Sequence, residues 1–136
     1  MPRHGQGSAA HWLENANADT LALAMIETRE ALDALDGILA VDGIDGVLVG
    51  PSDFSIAWTG GTRMDPGLDD MMGAIAAIAA RAGEAGKHAA IYVVDPSLTG
   101  RYVQMGFRLI ALGSDVKYLA LGADQLFSAA RRSITT

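Results

Sequence analysis

One stretch of the chain decides the fold: Gly43-Ile44-Asp45-Gly46-Val47-Leu48-Val49-Gly50-Pro51-Ser52-Asp53. Its centre, residues 46–49, is continuously apolar, which is typical of a parallel strand that is covered on both faces. Glycines flank this strand, and a polar turn follows its carboxyl end. A weaker echo of the same arrangement occupies residues 106–115, where an apolar run between two glycines is followed by Ser114 and Asp115. The sequence therefore repeats a strand that ends in a polar turn, and parallel α/β folds build their sites at that end.

The rest of the chain continues this alternation of short apolar runs and segments with helical spacing. Further strands are predicted at residues 21–26, 89–94 and 107–112. Helices are predicted at residues 28–41 and 68–85, in a short segment that ends near Met105 and is capped by Asp95 or Ser97, and after Asp115. The segment after Ser52 and Asp53 is read as a long loop. We expect an α/β fold of four strand–helix units with parallel strands, in one domain over residues 1–136. Its repeats span residues 21–132, and residues 1–20 form an irregular segment or a single helix.

Composition excludes several classes of protein. The 136 residues include 10 basic and 16 acidic side chains, which give a net charge of −6 and argue against nucleic-acid binding. There is no cysteine, so disulfides, thiolate metal sites and thiol catalysis are excluded. No apolar run approaches the ~20 residues that span a membrane. The first seven residues are polar and lack the apolar region of a signal peptide. We therefore expect a cytoplasmic, soluble protein.

Two acidic residues stand at predicted strand ends. Glu27 directly follows Ile26, and Asp53 lies just beyond Val49 and Gly50. If the two strands are parallel neighbours, both carboxylates emerge on one rim of the sheet, where hard oxygen ligands suit Mg²⁺ or Mn²⁺. The pattern has plainer readings as well: Glu27 in the first turn of a helix complements the helix dipole. Asp53 can equally be an ordinary turn residue after a proline. Spacing alone favours these plainer readings.

The remaining candidates are weaker. The turn Gly50–Asp53 can present backbone N–H groups to a small anion or be a bare turn. The three histidines share no metal-ligand spacing, and His88 is expected at the surface. Trp58, in the predicted loop, can contact a ligand or a neighbouring subunit, or pack against its own loop.

The motifs together resemble a known family. The stretches Ile26-Glu27-Thr28-Arg29-Glu30-Ala31 and Gly43–Ser55, with Val94-Asp95-Pro96 and Gly106–Asp115, resemble the HpcH/HpaI class II pyruvate aldolases. The resemblance covers roughly residues 11–130. It implies the second half of a TIM (β/α)8 barrel, since such a barrel needs eight strands and about 250 residues.

The resemblance also implies a reaction and a site. A divalent metal, Mg²⁺, Mn²⁺ or Co²⁺, would be held by Glu27 and Asp53. A pyruvate-type 2-oxo acid would lie against Gly50, Pro51, Ser52 and Asp53, with its carboxylate on the backbone N–H groups of residues 52 and 53. Residues near Tyr92 and Val93 would line the aldehyde side. The implied reaction is the cleavage of 4-hydroxy-2-oxo acids to pyruvate and an aldehyde.

The sequence departs from the family in two respects. Met25 stands where the family commonly has a glutamine, which removes a polar contact near the metal or the substrate. The family's catalytic arginine and its histidine base belong to the other half of the barrel, so no catalytic residue is assigned in this chain. The alternative function is a catalytically inactive half-barrel that acts as a binding or oligomerisation module. In either case we expect a homo-oligomer or an association with a complementary half-barrel.

Overall fold

The computed structural model of the protein describes residues 9–134, apart from the side chains of Ala9 and Trp12. In this part of the chain four strands form one sheet: β1 (Leu23–Ile26), β2 (Gly46–Val49), β3 (His88–Val93) and β4 (Leu109–Leu112). The helices of residues 9–134 are α1 (Ala9–Asp19), α2 (Arg29–Asp33), α3 (Leu35–Leu39), α4 (Pro51–Trp58), α5 (Asp69–Glu84), α6 (Thr99–Gln104) and α7 (Asp115–Ile134). A 3-10 turn, Pro96–Leu98, precedes α6. The predicted order of four strand–helix units is confirmed.

The sheet has the order β1-β2-β3-β4, and every neighbouring pair is parallel. Asp45 ties the beginnings of the first three strands together. Its backbone N–H donates to the Ala22 carbonyl over 2.8 Å, and its carboxylate accepts from the Ala22 N–H over 2.7 Å. Its own carbonyl accepts from the His88 N–H over 2.9 Å. The aspartate of the Gly43–Gly46 motif therefore sets the register of the sheet.

A single apolar core lies on one face of the sheet. Alternate strand residues enter it, because successive side chains of a strand point to opposite faces. The core residues from the strands and the helices include Ile26, Val47, Val49, Ile91, Val93, Phe54, Met71, Ile75, Ile78, Tyr102 and Phe107. The other alternation has less cover: Met25 and Leu109 are exposed, Leu48 and Tyr92 are half-buried, and Ala90 is buried outside the core. The helices that form the core thus cover one face of the sheet, and the opposite face is open in the described chain.

Two local predictions were wrong. The segment after Gly50 is the helix α4 and not a loop, and the irregular segment begins only at Thr59. Pro51 at the first helical position has no N–H to satisfy and its fixed φ suits a helix, so the residues read as a turn are a helix start. The helix predicted over residues 28–41 is two short helices separated by Ala34, whose backbone leaves the helical range at φ −84° and ψ 3°.

Other predictions were confirmed or resolved. His88 begins a strand and is exposed. Asp95, rather than Ser97, caps the 3-10 turn that precedes α6, since its carboxylate accepts from the Ser97 N–H over 2.9 Å. Within residues 1–20, α1 is a helix over Ala9–Asp19, and residues 1–8 lie outside the described part of the chain. Over residues 9–134 no helix combines the length and the apolar character needed to cross a lipid bilayer.

Candidate functional site

The site lies where β1 and β2 end side by side. Ile26 pairs with Val49 in the parallel register, so the next residues, Glu27 and Gly50, stand next to each other on the rim. Asp53 follows in the first turn of α4, which begins on that rim. The two carboxylates that the sequence places at strand ends are therefore brought to the same end of the same two strands.

Gly50 provides the space for the Glu27 side chain. A Cβ atom at residue 50 would collide with Oε1 of Glu27 and would lie 3.1 Å from its Cγ and 3.2 Å from its Cδ. The φ of Gly50 is −102°, a value open to any residue, so its backbone conformation does not require glycine. Glycine is needed here because the Glu27 carboxylate occupies the place of a side chain.

The carboxylates of Glu27 and Asp53 affect each other electrostatically. Glu27 is half-buried, whereas Asp53 is exposed. Burial and, second, the negative charge of Asp53 raise the pKa of Glu27 above its ordinary value of 4.5. A nearby like charge disfavours the ionised form unless a cation compensates it. A cation held between the two carboxylates would therefore relieve their repulsion.

The first turn of α4 supplies backbone donors at the same rim. The first N–H groups of a helix have no carbonyl partner four residues earlier, so Ser52 and Asp53 present their N–H groups at the helix start. Phe54 is the first to bond back, with its N–H 2.9 Å from the Gly50 carbonyl. Buried Ser55 fixes this turn: its hydroxyl donates to the Ser52 carbonyl over 2.6 Å and accepts from the Asp65 N–H over 2.8 Å. The turn Gly50–Asp53 is thus the N-terminus of a helix and is held in place by the hydrogen bonds of Ser55. Helix N-termini are places where anions can bind.

The structure also joins two residues that sequence reasoning did not connect. Arg29, two residues after Glu27, lies with its guanidinium carbon 4.2 Å from the centroid of the Trp58 ring. Its Nη2 donates to the Trp58 carbonyl over 2.7 Å. Trp58 is the last residue of α4 and not part of a loop, and it is half-buried against the core. The two residues are 29 positions apart, and no periodic pattern links them.

Val93 and Tyr92 differ in their orientation. The Val93 side chain is 1% exposed and belongs to the core on the helix-covered face, and its carbonyl accepts from the Gly113 N–H over 3.1 Å. Tyr92 lies on the opposite, open face and is half-buried. Of this pair, the geometry favours Tyr92 as a side chain that can line an open site.

The donor set fits a divalent metal that leaves most of its positions free. Among residues 9–134 no three histidine, aspartate or glutamate side chains cluster in a way that could enclose an ion. Two carboxylates on one rim suit Mg²⁺ or a related ion, which is commonly bound by one or two carboxylates and keeps water or substrate on the remaining positions.

Comparison with known proteins decides the family. The model of the HpcH/HpaI aldolase/citrate lyase family matches residues 2–121. The chain belongs to this family. The predicted resemblance is therefore confirmed, and so is the fold that it implied.

Curated relatives of the HpcH/HpaI family support this assignment. A hydroxypyruvate/pyruvate aldolase from Pseudomonas aeruginosa is 38% identical over 112 residues, which are 82% of this chain and 41% of that protein. A 4-hydroxy-2-oxo-heptane-1,7-dioate aldolase from Salmonella heidelberg is 38% identical over 116 residues, which are 85% of this chain and 43% of that protein. The chain thus spans less than half the length of these two relatives.

Among solved structures of the HpcH/HpaI family, this chain again corresponds to about half of the longer protein. A family member from Burkholderia cenocepacia J2315 superposes with a TM-score of 0.76 at 27% identity, over 96% of this chain and 52% of that one. The neighbours are TIM-barrel proteins, and the four parallel strands correspond to about half of their fold. The uncovered face of the sheet is what half of a closed barrel exposes, since the strands of a barrel enclose their inner side chains together.

Proposed function

We propose that this chain carries the metal-binding and pyruvate-binding half of a divalent-metal-dependent aldolase that cleaves 4-hydroxy-2-oxo acids. One observation carries the proposal: the Glu27 carboxylate lies in the space left by Gly50, on the same rim as Asp53. The activities named for the relatives, on hydroxypyruvate or pyruvate and on a 4-hydroxy-2-oxo diacid, agree with it.

Each residue has a separate task in this proposal. Glu27 and Asp53 would hold Mg²⁺, Mn²⁺ or Co²⁺. When bound, the metal supplies Lewis-acid stabilisation of negative charge that develops on an oxygen of the 2-oxo acid. The N–H groups of Ser52 and Asp53 would hold the substrate carboxylate at the start of α4, where the helix dipole favours an anion. Pro51 is buried and fixes the direction of this first turn.

The chain has no assigned base for the aldol proton transfer. We therefore expect binding to persist in this chain alone and efficient cleavage to require groups outside it. The activity test is release of pyruvate from a 4-hydroxy-2-oxo acid with Mn²⁺ or Co²⁺, compared with Glu27→Ala. Turnover no greater than that of Glu27→Ala would rule out aldolase activity for this chain alone.

The binding step has its own test. Mn²⁺ titration is expected to show one site in the wild type, and Glu27→Gln and Asp53→Asn should each weaken it at least tenfold. Asp95→Asn is the matched control, because Asp95 is an exposed carboxylate that follows the end of β3, and asparagine also caps a helical turn. If Mn²⁺ binding is absent from the wild type, or unchanged in Glu27→Gln, the proposed site is wrong.

A second candidate function is an association module that lacks catalysis. It is favoured by the open apolar face of the sheet and by α7, a helix of 20 residues in which no residue is buried. Val116, Leu119, Leu126, Phe127 and Ile134 are each at least 67% exposed. Their spacing places them on one stripe of the helix. The fitting partner is a second copy of this chain or a complementary half-barrel. Metal binding with no association would favour the first candidate, and association with no metal binding the second.

A further inference from the structure

We propose that Arg29 is a positioning residue for the two-carboxylate site and that it acts through its contact with Trp58. The proposal rests on the proposed function, because it concerns the affinity of Glu27 and Asp53 for a divalent cation. Arg29 is exposed and would not touch the cation itself. Its role would be to hold the two elements that carry the carboxylates in one fixed relation.

The contact between Arg29 and Trp58 uses two kinds of interaction at once. The guanidinium stacks on the ring, 4.2 Å from its centroid, and Nη2 donates to the Trp58 carbonyl over 2.7 Å. The final carbonyls of a helix have no intrahelical donor, and a cation at that end also complements the helix dipole. Arg29 therefore caps α4 and covers its last side chain.

Arg29 lies two residues after Glu27, and Trp58 lies on the same helix as Asp53. Arg29 is the first residue of α2, which Thr28 caps by accepting the Ala31 N–H at 3.1 Å, so Glu27 joins β1 to a rigid helix start. On the other side, Asp53 lies in the first turn of α4 and Trp58 in its last. A shift at the Trp58 end of so short a helix is passed to the Asp53 end.

Phe54 strengthens this connection. It follows Asp53 directly, is fully buried, and its ring lies 5.7 Å from that of Trp58, one helical turn later. The guanidinium, the Trp58 ring and the Phe54 ring therefore form a continuous row of contacts, in which the two rings are tilted by 39° to each other. These contacts would fix both the distance of α4 from the start of α2 and the rotation of α4 about its own axis.

The chemistry of the contact calls for arginine. A guanidinium is flat, so that it can lie on a ring while its edge donates to a carbonyl, whereas a lysine ammonium is a compact point charge. Lysine at residue 29 would keep the charge near the helix end and lose the stacking. Phenylalanine at residue 58 would keep an aromatic face and the backbone carbonyl. Arg29→Lys therefore removes the contact of the guanidinium with the ring but not the charge, whereas Trp58→Phe keeps both.

Mn²⁺ affinity, measured from the electron paramagnetic resonance signal of free Mn²⁺, tests the proposal. Arg29→Ala is expected to raise the dissociation constant about tenfold, the scale seen when a residue that orients metal ligands is lost. Arg29→Lys should recover only part of this loss, and Trp58→Phe should stay near the wild type. Arg101→Ala is the control, since Arg101 forms an exposed ion pair with Asp69, 2.8 Å long, on other elements of the chain.

A second readout uses the metal-free protein. Amide hydrogen exchange is expected to speed up in Arg29→Ala both at residues 27–30 and in the first turn of α4, with no such change in Arg101→Ala. A thermal shift in Arg29→Ala with an unchanged Mn²⁺ dissociation constant would reduce Arg29 to a structural residue and overturn the proposal. Unchanged exchange at both segments would also overturn it. Failure of the wild type to bind Mn²⁺ would instead overturn the proposed function itself.

Discussion

The Glu27 carboxylate can lie on the rim of the sheet because residue 50 has no side chain. The Glu27 carboxylate fills the space that a Cβ of residue 50 would take, although the backbone of Gly50 has a conformation open to other residues. Gly50 is therefore required by the space that the Glu27 side chain takes and not by the backbone conformation of the turn. This distinguishes Gly50 from Gly113, whose φ of 66° itself favours glycine.

We predict that Gly50→Ala keeps the fold and weakens the site. The added methyl group would push against the end of a flexible side chain, so Glu27 would swing away while the backbone stays in place. The Mn²⁺ dissociation constant should rise at least tenfold, the scale of losses in groups that orient a metal ligand. Titration with Mn²⁺ and thermal unfolding, measured side by side, check this. A cooperative transition with wild-type Mn²⁺ affinity would show that Glu27 does not need this space.

Burial of Glu27 and, second, its repulsion from Asp53 make stability depend on pH. Because the folded state raises the pKa of Glu27, it binds that proton more tightly than the unfolded chain does. Glu27 therefore stabilises the fold below its ordinary pKa of 4.5, and this contribution is lost as the pH rises through the raised value.

From this sign we predict that Glu27→Gln stabilises the metal-free protein at neutral pH. The substitution removes the charge that burial and, second, Asp53 disfavour, and the gain should be at most about 0.5 kcal/mol, as expected for an exposed charge pair. The gain should vanish in acid. Saturating Mn²⁺ should reverse the order, since the wild type gains more binding free energy than the variant. Urea unfolding at neutral and acidic pH, with and without Mn²⁺, measures all three. Equal stability of the two proteins at neutral pH would contradict the interaction.

At the scale of elements, sequence patterns gave the order and the type of most helices and strands but missed α4. Pro51, Ser52 and Asp53 are as typical of a turn as of a helix start, and the helix is only 8 residues long. Eight residues show too little periodicity to indicate a helix, so the pattern predicts a turn and a loop instead. The contact of Arg29 with Trp58 was out of reach for the same reason: it depends on where α4 ends. Parallel strands that end on one rim, as β1 and β2 do at Ile26 and Val49, made the carboxylate pair possible, but spacing alone favoured plainer readings and only the family resemblance implied the pair.

Two glycines of this chain differ in what surrounds them and should respond oppositely to alanine. At Gly46 in β2, a Cβ would collide with the His88 carbonyl oxygen and lie 2.8 Å from the carbonyl carbon, so β2 and β3 would have to separate. At Gly73 in α5, no described atom lies within 4 Å of the added Cβ apart from the adjoining residues and the backbone of its own helix. We predict that Gly46→Ala destabilises the fold by about 2 kcal/mol, the cost of overpacking.

Gly73→Ala should instead add up to about 1 kcal/mol, because alanine favours a helix interior over glycine. The free energies of unfolding in urea check both variants against the wild type. If Gly46→Ala were as stable as the wild type, the close approach of β2 and β3 would be wrong. If Gly73→Ala gave no gain, the surroundings of residue 73 would be less open than the structure shows.

At the scale of the whole molecule, residues 9–134 bury one face of the sheet and leave the other open. The members of the family with twice its length close the sheet into a barrel, which covers the inner face and leaves no free strand edges. In this chain β1 and β4 are both edges, and the apolar stripe of α7 adds a second uncovered surface. Exposed apolar surface of this kind marks interaction sites in soluble proteins.

We therefore predict that the chain associates at micromolar concentration. Light scattering coupled to size exclusion should give a mass above the 14.2 kDa of one chain. Leu119→Glu should shift the mass toward the monomer, because Leu119 lies on the α7 stripe and is 74% exposed. Gln125→Glu adds the same charge at an exposed position of α7 and should leave the mass unchanged. A well-folded wild-type monomer would contradict this prediction, because it would show that both apolar surfaces stay exposed to solvent. Equal masses for the wild type and Leu119→Glu would place the contact elsewhere, with the open face of the sheet as the remaining candidate.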